Sequence, residues 1–168
     1  TGYDLPTEYV EENLELVERG GENLKRHIGI ARAFNMPVVV AINRFPTDTA
    51  AEIALVKRIA EEAGASAAVE ANHWSDGGDG ARELAQAVVE ATEKPSDFQF
   101  IYDVNASIKE KIEAIATKVY GAAAVSYSDA AERQIRTYTK SGFGNLPICM
   151  AKTHLSLSHD PNLKGGPT

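Results

Sequence analysis

The sequence predicts a three-layer α/β fold in which a mostly parallel sheet carries helices on both faces. Short apolar runs rich in β-branched residues alternate with longer segments of helical periodicity. Residues 38–42 are bounded by Pro37 and end in polar residues, which is typical of a strand buried on both faces. Because strands that alternate with helices are joined by right-handed crossovers, the order of elements predicts a parallel sheet.

Capping residues and apolar periodicity locate the helices. Thr49 and Glu52 have the spacing of a capping box, Ser107 and Glu110 have it as well, and Gly64 suits the left-handed cap at a helix end. The predicted helices span residues 8–34 (with a break allowed at Gly20 and Gly21), 49–63, 79–93, 107–120 and 128–140.

The predicted strands span residues 38–42, 66–71, 98–102, 122–127 and 146–151. Residues 152–168 are predicted to be an irregular tail that leads to a missing C-terminal part, since nothing in them closes the edge of a sheet. Residues 1–168 are therefore expected to be a single α/β region and a piece of a longer protein.

Composition limits the classes of partner. The chain has 17 Lys and Arg against 24 Asp and Glu, a net charge of −7, and no basic block, so nucleic acid is not an expected partner. No apolar run approaches the roughly 20 residues that span a bilayer, and the first residues lack the pattern of a signal peptide. The single cysteine, Cys149, fits a reducing cytoplasm and is expected to be a small buried hydrophobe.

The turn after the first predicted strand is the first candidate site and holds Asn43, Arg44, Phe45 and Pro46. Ligands of open parallel sheets bind outside the carboxyl ends of the strands, where this turn lies. The Phe45 ring either tucks under a neighbouring loop or faces a flat ligand. Arg44 either pairs with a ligand carboxylate or phosphate, or forms a surface salt bridge.

The second candidate site is the glycine- and aspartate-rich loop 72–80, which contains Trp74, the only tryptophan. If the two strands are neighbours, Phe45 and Trp74 lie at one rim and could hold a planar heterocycle between their rings, since aromatic stacking contributes about 0.5–1.5 kcal/mol per pair. His73 and Asp76 have no second His or Cys nearby, so no metal site is predicted. The glycine spacing fits neither the phosphate loop nor the dinucleotide fingerprint.

The third candidate is residues 140–153, where Gly142 and Gly144 allow close approach of the backbone. Lys152 and Thr153 follow a predicted strand and would lie at the same rim, although a solvated lysine is the simpler interpretation. The chain contains no G-x-x-x-x-G-K-[ST] pattern.

These stretches together resemble the C-terminal portion of formate–tetrahydrofolate ligases, also called 10-formyltetrahydrofolate synthetases. The similarity is close in Pro37-Val38-Val39-Val40-Ala41-Ile42-Asn43-Arg44-Phe45-Pro46-Thr47-Asp48-Thr49, and it includes residues 23–28, the Trp74 loop and residues 140–161. It covers nearly all of the chain from about residue 20, while residues 1–21 match less clearly. The resemblance implies a P-loop NTPase-like or Rossmann-like piece whose phosphate loop lies upstream.

The resemblance also implies a function. ATP, formate and tetrahydrofolate would give 10-formyltetrahydrofolate, ADP and phosphate through formyl phosphate, with Mg²⁺ accompanying ATP and a monovalent cation (K⁺ or NH₄⁺) as activator. The pterin would lie between Phe45 and Trp74, with Asn43, Arg44 and Pro46 beside it, and Lys152 and Pro167 would approach the nucleotide. The catalytic residues are not assigned. A cytoplasmic homotetramer acting on small molecules is implied, and this piece alone is expected to be inactive.

Two other functions remain open from the residues. Asn43-Arg44 followed by Asp48 loosely resembles the base-reading N-K-x-D of GTPases, which would make the chain a nucleotide-binding module. A non-catalytic interaction domain is the other alternative, and burial of both Phe45 and Trp74 would favour it.

Overall fold

The computed structural model describes residues 6–95, 97–151, 154, 156–158 and 160–163. The chain forms two compact units, Thr1–Asp97 and Phe98–Thr168. Both strands of the described residues belong to the first unit. The structure is therefore α/β, with a two-stranded parallel sheet and helices.

The strands of the first unit lie within one residue of their predicted bounds, whereas the helix predicted over residues 8–34 begins only at Leu14. This unit contains α1 (Leu14–Arg32), β1 (Val39–Asn43), α2 (Ala50–Glu62), β2 (Ala67–Ala71), α3 (His73–Asp76) and α4 (Arg82–Thr92), with 3₁₀ turns at Thr7–Tyr9 and Asp79–Ala81. The second unit contains α5 (Ile108–Ala114), which continues as a π-helical segment Ile115–Val119, then α6 (Asp129–Lys140) and a 3₁₀ turn at Phe143–Asn145.

β1, α2 and β2 form the strand–helix–strand unit that positions both candidate loops. The strands pair in parallel from Val39 opposite Ala67 to Asn43 opposite Ala71. The capping box predicted for α2 is confirmed, since Thr49 Oγ1 accepts from the Glu52 amide at 3.2 Å and Glu52 Oε2 accepts from the Thr49 amide at 3.1 Å. Gly64 adopts the predicted left-handed conformation with φ +89°.

The core of the first unit lies where α1 packs against α2. Ile28 and Ile59 are each 2% exposed. A Cβ atom on Gly21 would lie 2.7 Å from Cδ1 of Ile59, so the glycine permits close approach of the two helices. Helix α1 runs through Gly20 and Gly21 without a break.

The expectation that the first strand is buried on both faces is wrong. Three residues of β1 are half-buried, and Ala41 and Asn43 are exposed. Ala41 and Asn43 are two positions apart and share one face of the strand, so this face is less covered than the face of Val40 and Ile42.

Three predicted strands are also wrong. Residues 98–102, 122–127 and 146–151 are not strands in this structure. Two of their backbone groups bond to side chains instead: the Ile148 amide donates to Tyr102 Oη at 3.0 Å, and the Ile101 carbonyl accepts from Lys118. Strand propensity needs a partner strand, and the described residues of this unit supply none.

The second unit is organised around a buried lysine. Lys111 is 0% exposed. Its Nζ donates to the carbonyls of Gly144 at 2.6 Å and Leu146 at 3.2 Å. The predicted capping box of Ser107 and Glu110 is confirmed at the start of α5. Cys149 was expected to be buried, but it is exposed because its segment joins no sheet.

Among the helices described here, none combines the length and apolarity needed to cross a membrane. Lys152, Thr153 and Pro167, which the sequence suggested for the nucleotide side, lie outside the described residues.

Candidate functional site

The two candidate loops leave the sheet at the same edge. Asn43, the last residue of β1, is opposite Ala71, the last residue of β2. The turn with Arg44, Phe45 and Pro46 follows the first strand, and α3 with Trp74 follows the second. Parallel strands with level carboxyl ends therefore bring the two loops to one rim, as expected of ligand sites in parallel sheets.

Three backbone amides of the turn after β1 donate hydrogen bonds. The Arg44 amide donates to the Ala71 carbonyl at 3.4 Å, which extends the ladder by one bond. The Phe45 amide donates to Asp48 Oδ2 at 2.8 Å, and the Asp48 amide donates back to the Phe45 carbonyl at 3.0 Å. Two of these bonds therefore lie within the turn, and one long bond links its backbone to β2.

Trp74 joins the two loops directly. Its indole Nε1 donates to the carbonyl of Arg44 at 3.0 Å. The indole N–H is thus already used inside the protein, while the Trp74 side chain remains 58% exposed and that of Phe45 remains 61% exposed. Two large rings on hydrogen-bonded supports at one rim are available for contact with a ligand.

Gly80 is closely packed against the backbone at the start of the Trp74 loop. The Asn72 amide donates to the Gly80 carbonyl at 3.0 Å. A Cβ atom on Gly80 would lie 2.5 Å from the carbonyl carbon and oxygen of Asn72 and 2.9 Å from the His73 nitrogen. Glycine is therefore required at position 80 so that the start of α3, and with it Trp74, can lie against this loop.

An ion-pair network lies beneath the turn. Arg44 Nη1 is 2.8 Å from Glu70 Oε2, and Lys57 Nζ is 2.7 Å from Glu70 Oε1. The hydrogen bond from Lys57, assisted by the charges of Lys57 and Arg44, lowers the pKa of the Glu70 carboxyl despite its partial burial. Of the two interpretations open for Arg44, the structure contains the ion pair with a protein carboxylate.

Next to this network is a polar cavity of about 270 Å³. Its lining is acidic, with Glu70, Asn72, Asp76, Asp79, Gly80 and Glu83. Negative charge favours an amine-bearing group in this space and disfavours a phosphate.

The structure brings together the five residues predicted to bind folate. Asn43 and Pro46 are exposed beside Arg44 and Phe45 at the rim, and the Trp74 indole donates to the Arg44 carbonyl. In the described ranges, no group of three or more His, Cys, Asp or Glu side chains is placed to hold a metal ion.

The sequence pattern does not single out two residues of the site, Glu70 and Lys57, and it includes Asp48 only in the segment that resembles the base-reading motif of GTPases. A signal was present for Glu70, because it is the one charged residue in the small apolar run 65–71. A carboxylate in a half-buried strand needs a partner of opposite charge.

Comparison with known proteins shows to which protein family the chain belongs. The sequence model of the family described as formate–tetrahydrofolate ligase matches residues 1–168. The chain is 56% identical over 166 residues to the mitochondrial C-1-tetrahydrofolate synthase of Saccharomyces cerevisiae, and this match covers 99% of the chain and 17% of the relative.

Two further relatives indicate the same family. The chain is 54% identical to the human cytoplasmic C-1-tetrahydrofolate synthase over 99% of its length and 18% of the relative's. It is 55% identical to the formate–tetrahydrofolate ligase of Desulforamulus reducens, covering 99% of the chain and 29% of the relative. The chain belongs to the formate–tetrahydrofolate ligase family, and it spans less than a third of the length of these relatives.

Proposed function

We propose that this chain is the folate-binding part of a longer ATP-dependent ligase that joins formate to tetrahydrofolate. The product would be 10-formyltetrahydrofolate, formed with ADP and phosphate, which is a reaction of one-carbon metabolism. Family membership supports the reaction, and the observation that supports the role of this part is the pair of exposed rings linked by the bond from Trp74 to Arg44.

The pterin ring would lie between Phe45 and Trp74. Because the indole N–H already donates to Arg44, Trp74 would contact the pterin through its ring face rather than through a hydrogen bond. Asn43, Arg44 and Pro46 would line the same edge.

The contribution of these residues to the chemistry would be positioning. A pterin fixed by two rings presents the folate amine in one orientation, which lowers the entropic barrier of formyl transfer. ATP supplies the phosphoryl group that activates formate, and Mg²⁺ and a monovalent cation are proposed to bind with residues outside those described. Lys152 and Pro167 remain proposed for the nucleotide side.

The nucleotide-binding alternative has less support from the site. The Asp48 carboxylate accepts from the Phe45 amide, and the Arg44 guanidinium is paired with Glu70. The Asp48 carboxylate is thus bonded within the turn, and the Arg44 guanidinium is bonded to β2. The interaction-domain alternative called for buried rings, whereas both rings are more than half exposed.

The wider organisation of the enzyme is part of the same proposal. In the full-length protein, residues 1–168 would be one region of a three-layer α/β fold in which the open sides of β1 and β2 pair with further strands. The whole enzyme would be a homotetramer acting on small molecules in the cytoplasm. Named relatives include both cytoplasmic and mitochondrial proteins.

Kinetics of the full-length enzyme test the proposal. Phe45→Ala and Trp74→Ala should each raise KM for tetrahydrofolate by about three- to tenfold, since each removes one stacked ring. KM for ATP should stay within about twofold. Phe100→Ala is the matched control, because Phe100 is 70% exposed and belongs to the second unit. Unchanged KM for tetrahydrofolate in the Phe45→Ala, Trp74→Ala double variant would contradict the proposal.

A further inference from the structure

We propose that Glu70 is a positioning residue for folate binding, which holds both aromatic rings in place through Arg44 while touching neither ring. This inference rests on the proposed function of Phe45 and Trp74. Glu70 lies in neither of the two candidate loops, which are the turn after β1 and residues 72–80.

Glu70 uses its two carboxylate oxygens on two different cations. Oε2 accepts from Arg44 Nη1 at 2.8 Å, and Oε1 accepts from Lys57 Nζ at 2.7 Å. A carboxylate can bridge two donors in this way, whereas an amide has one acceptor oxygen and would turn its NH₂ group toward one of the cations. The arrangement therefore requires Glu or Asp chemistry at this position.

Lys57 fixes the orientation of the bridge. It lies in the middle of α2, a helix that begins with a complete capping box and buries Ile53 and Ile59 in the core. The strand that carries Glu70 is paired along its length with β1. The carboxylate is thus held between two rigid elements, and it presents its second oxygen to Arg44 in one direction.

Arg44 transmits this restraint to the rings. Its amide forms only a long bond of 3.4 Å to Ala71, so the side-chain pair with Glu70 is the shorter of the two links to β2. Its carbonyl accepts the Trp74 indole N–H, and Phe45 is the next residue. When the Arg44 side chain is released, the turn gains freedom, and the carbonyl that orients Trp74 moves with it.

The expected consequence is a loss of preorganisation, because a ligand must then order the turn and the indole when it binds. An exposed or partly exposed ion pair contributes modestly to the folded state. The effect should therefore be small on stability, specific to the folate and absent from the nucleotide side.

The test is the kinetics of Glu70→Gln in the full-length enzyme. KM for tetrahydrofolate should rise by about three- to fivefold, which is the upper end expected for one such pair, while kcat and KM for ATP stay within about twofold. Glu22→Gln is the matched control, because Glu22 forms a 2.8 Å pair with Lys25 on α1. Unchanged KM for tetrahydrofolate overturns the proposal, and so does a joint change of all three constants.

Two more variants separate this inference from the function it rests on. If Phe45→Ala and Trp74→Ala raise KM for tetrahydrofolate and Glu70→Gln does not, only the role of Glu70 is lost. If none of the three changes KM, the proposed function is lost with it. Lys57→Met in the Glu70→Gln background should add little, since Lys57 acts on the turn through Glu70, and full additivity contradicts the proposal.

Lys57→Met keeps the test available if Glu70→Gln does not fold. It leaves the link from Glu70 to Arg44 and removes the link to α2. KM for tetrahydrofolate should rise by about twofold. An unchanged KM for tetrahydrofolate in Lys57→Met, with Arg44→Met also unchanged, overturns the proposal without any use of the glutamine variant.

Discussion

The two units of the chain respond differently to the same kind of sequence signal. Residues 38–42 and 98–102 are both short apolar runs, yet the first becomes β1 and the second is not a strand. The helix caps at Thr49 and Ser107, by contrast, form as complete capping boxes in both units. A capping box forms between residues that are three positions apart, whereas a strand needs a partner strand that is distant in the sequence. Capping residues therefore predict local structure without knowledge of the fold, and short apolar runs do not.

The largest expected effect tests the core of the first unit. Ile59→Ala removes a side chain that is 2% exposed and fills the space against Gly21. The cavity should lower the free energy of local opening of α1 and α2 by about 3 kcal/mol. Hydrogen exchange of the full-length protein measures this quantity. Val89→Ala, at a position 49% exposed, should change it by less than about 0.5 kcal/mol, and equal effects of the two variants would contradict this description of the core.

The second expected effect tests whether the second unit depends on one polar group. Lys111→Met keeps the apolar stem but removes the donor to the carbonyls of Gly144 and Leu146. Two part-buried hydrogen bonds from a buried ammonium are lost, so the segment around residues 142–146 should open more easily by about 2 kcal/mol. Exchange protection of α1 and α2 should not change. Protection lost equally in both units would show that the lysine does not act locally.

Particular residues show how far the sequence determined these outcomes. Thr49, Gly64, Ser107 and the parallel pairing of the first two strands could be predicted, because caps and one crossover are short-range features. The rim with Phe45 and Trp74 followed from the strand ends. Glu70 and Lys57 could not be paired from sequence, since one lies on a strand and the other on a helix 13 positions away, and only the fold brings them together.

A smaller effect tests the shape of the Trp74 loop. Gly80→Ala places a methyl group against the Asn72 backbone and should shift α3, with a cost of about 1–2 kcal/mol. Trp74 should lose its bond to Arg44, which the indole fluorescence of the full-length protein reports when compared with Trp74→Phe. Gly78→Ala is the matched control, because its Cβ meets nothing within 4 Å and its φ is −63°. A spectral change in both variants would argue against a specific contact at Gly80.

The smallest effect concerns pH. Hydrogen bonds from the Asn13 and Thr49 amides lower the pKa of Glu52. A lowered pKa means that the charged form stabilises the folded state above the ordinary pKa of a glutamate, about 4.3, and that this stabilisation is lost as the pH falls through the lower folded value. Glu52→Gln should therefore weaken protection of α2 at pH 7 and flatten its decrease below pH 5, measured by hydrogen exchange. An unchanged acid profile would exclude Glu52 as its source.

A crystal structure of the full-length enzyme with tetrahydrofolate is the decisive measurement for the proposed binding site. The pterin should lie between the Phe45 and Trp74 rings, with atoms of both within about 4 Å of it. The indole should still donate to the Arg44 carbonyl. A pterin bound elsewhere, with both rings facing solvent, would contradict the proposed role of the two rings.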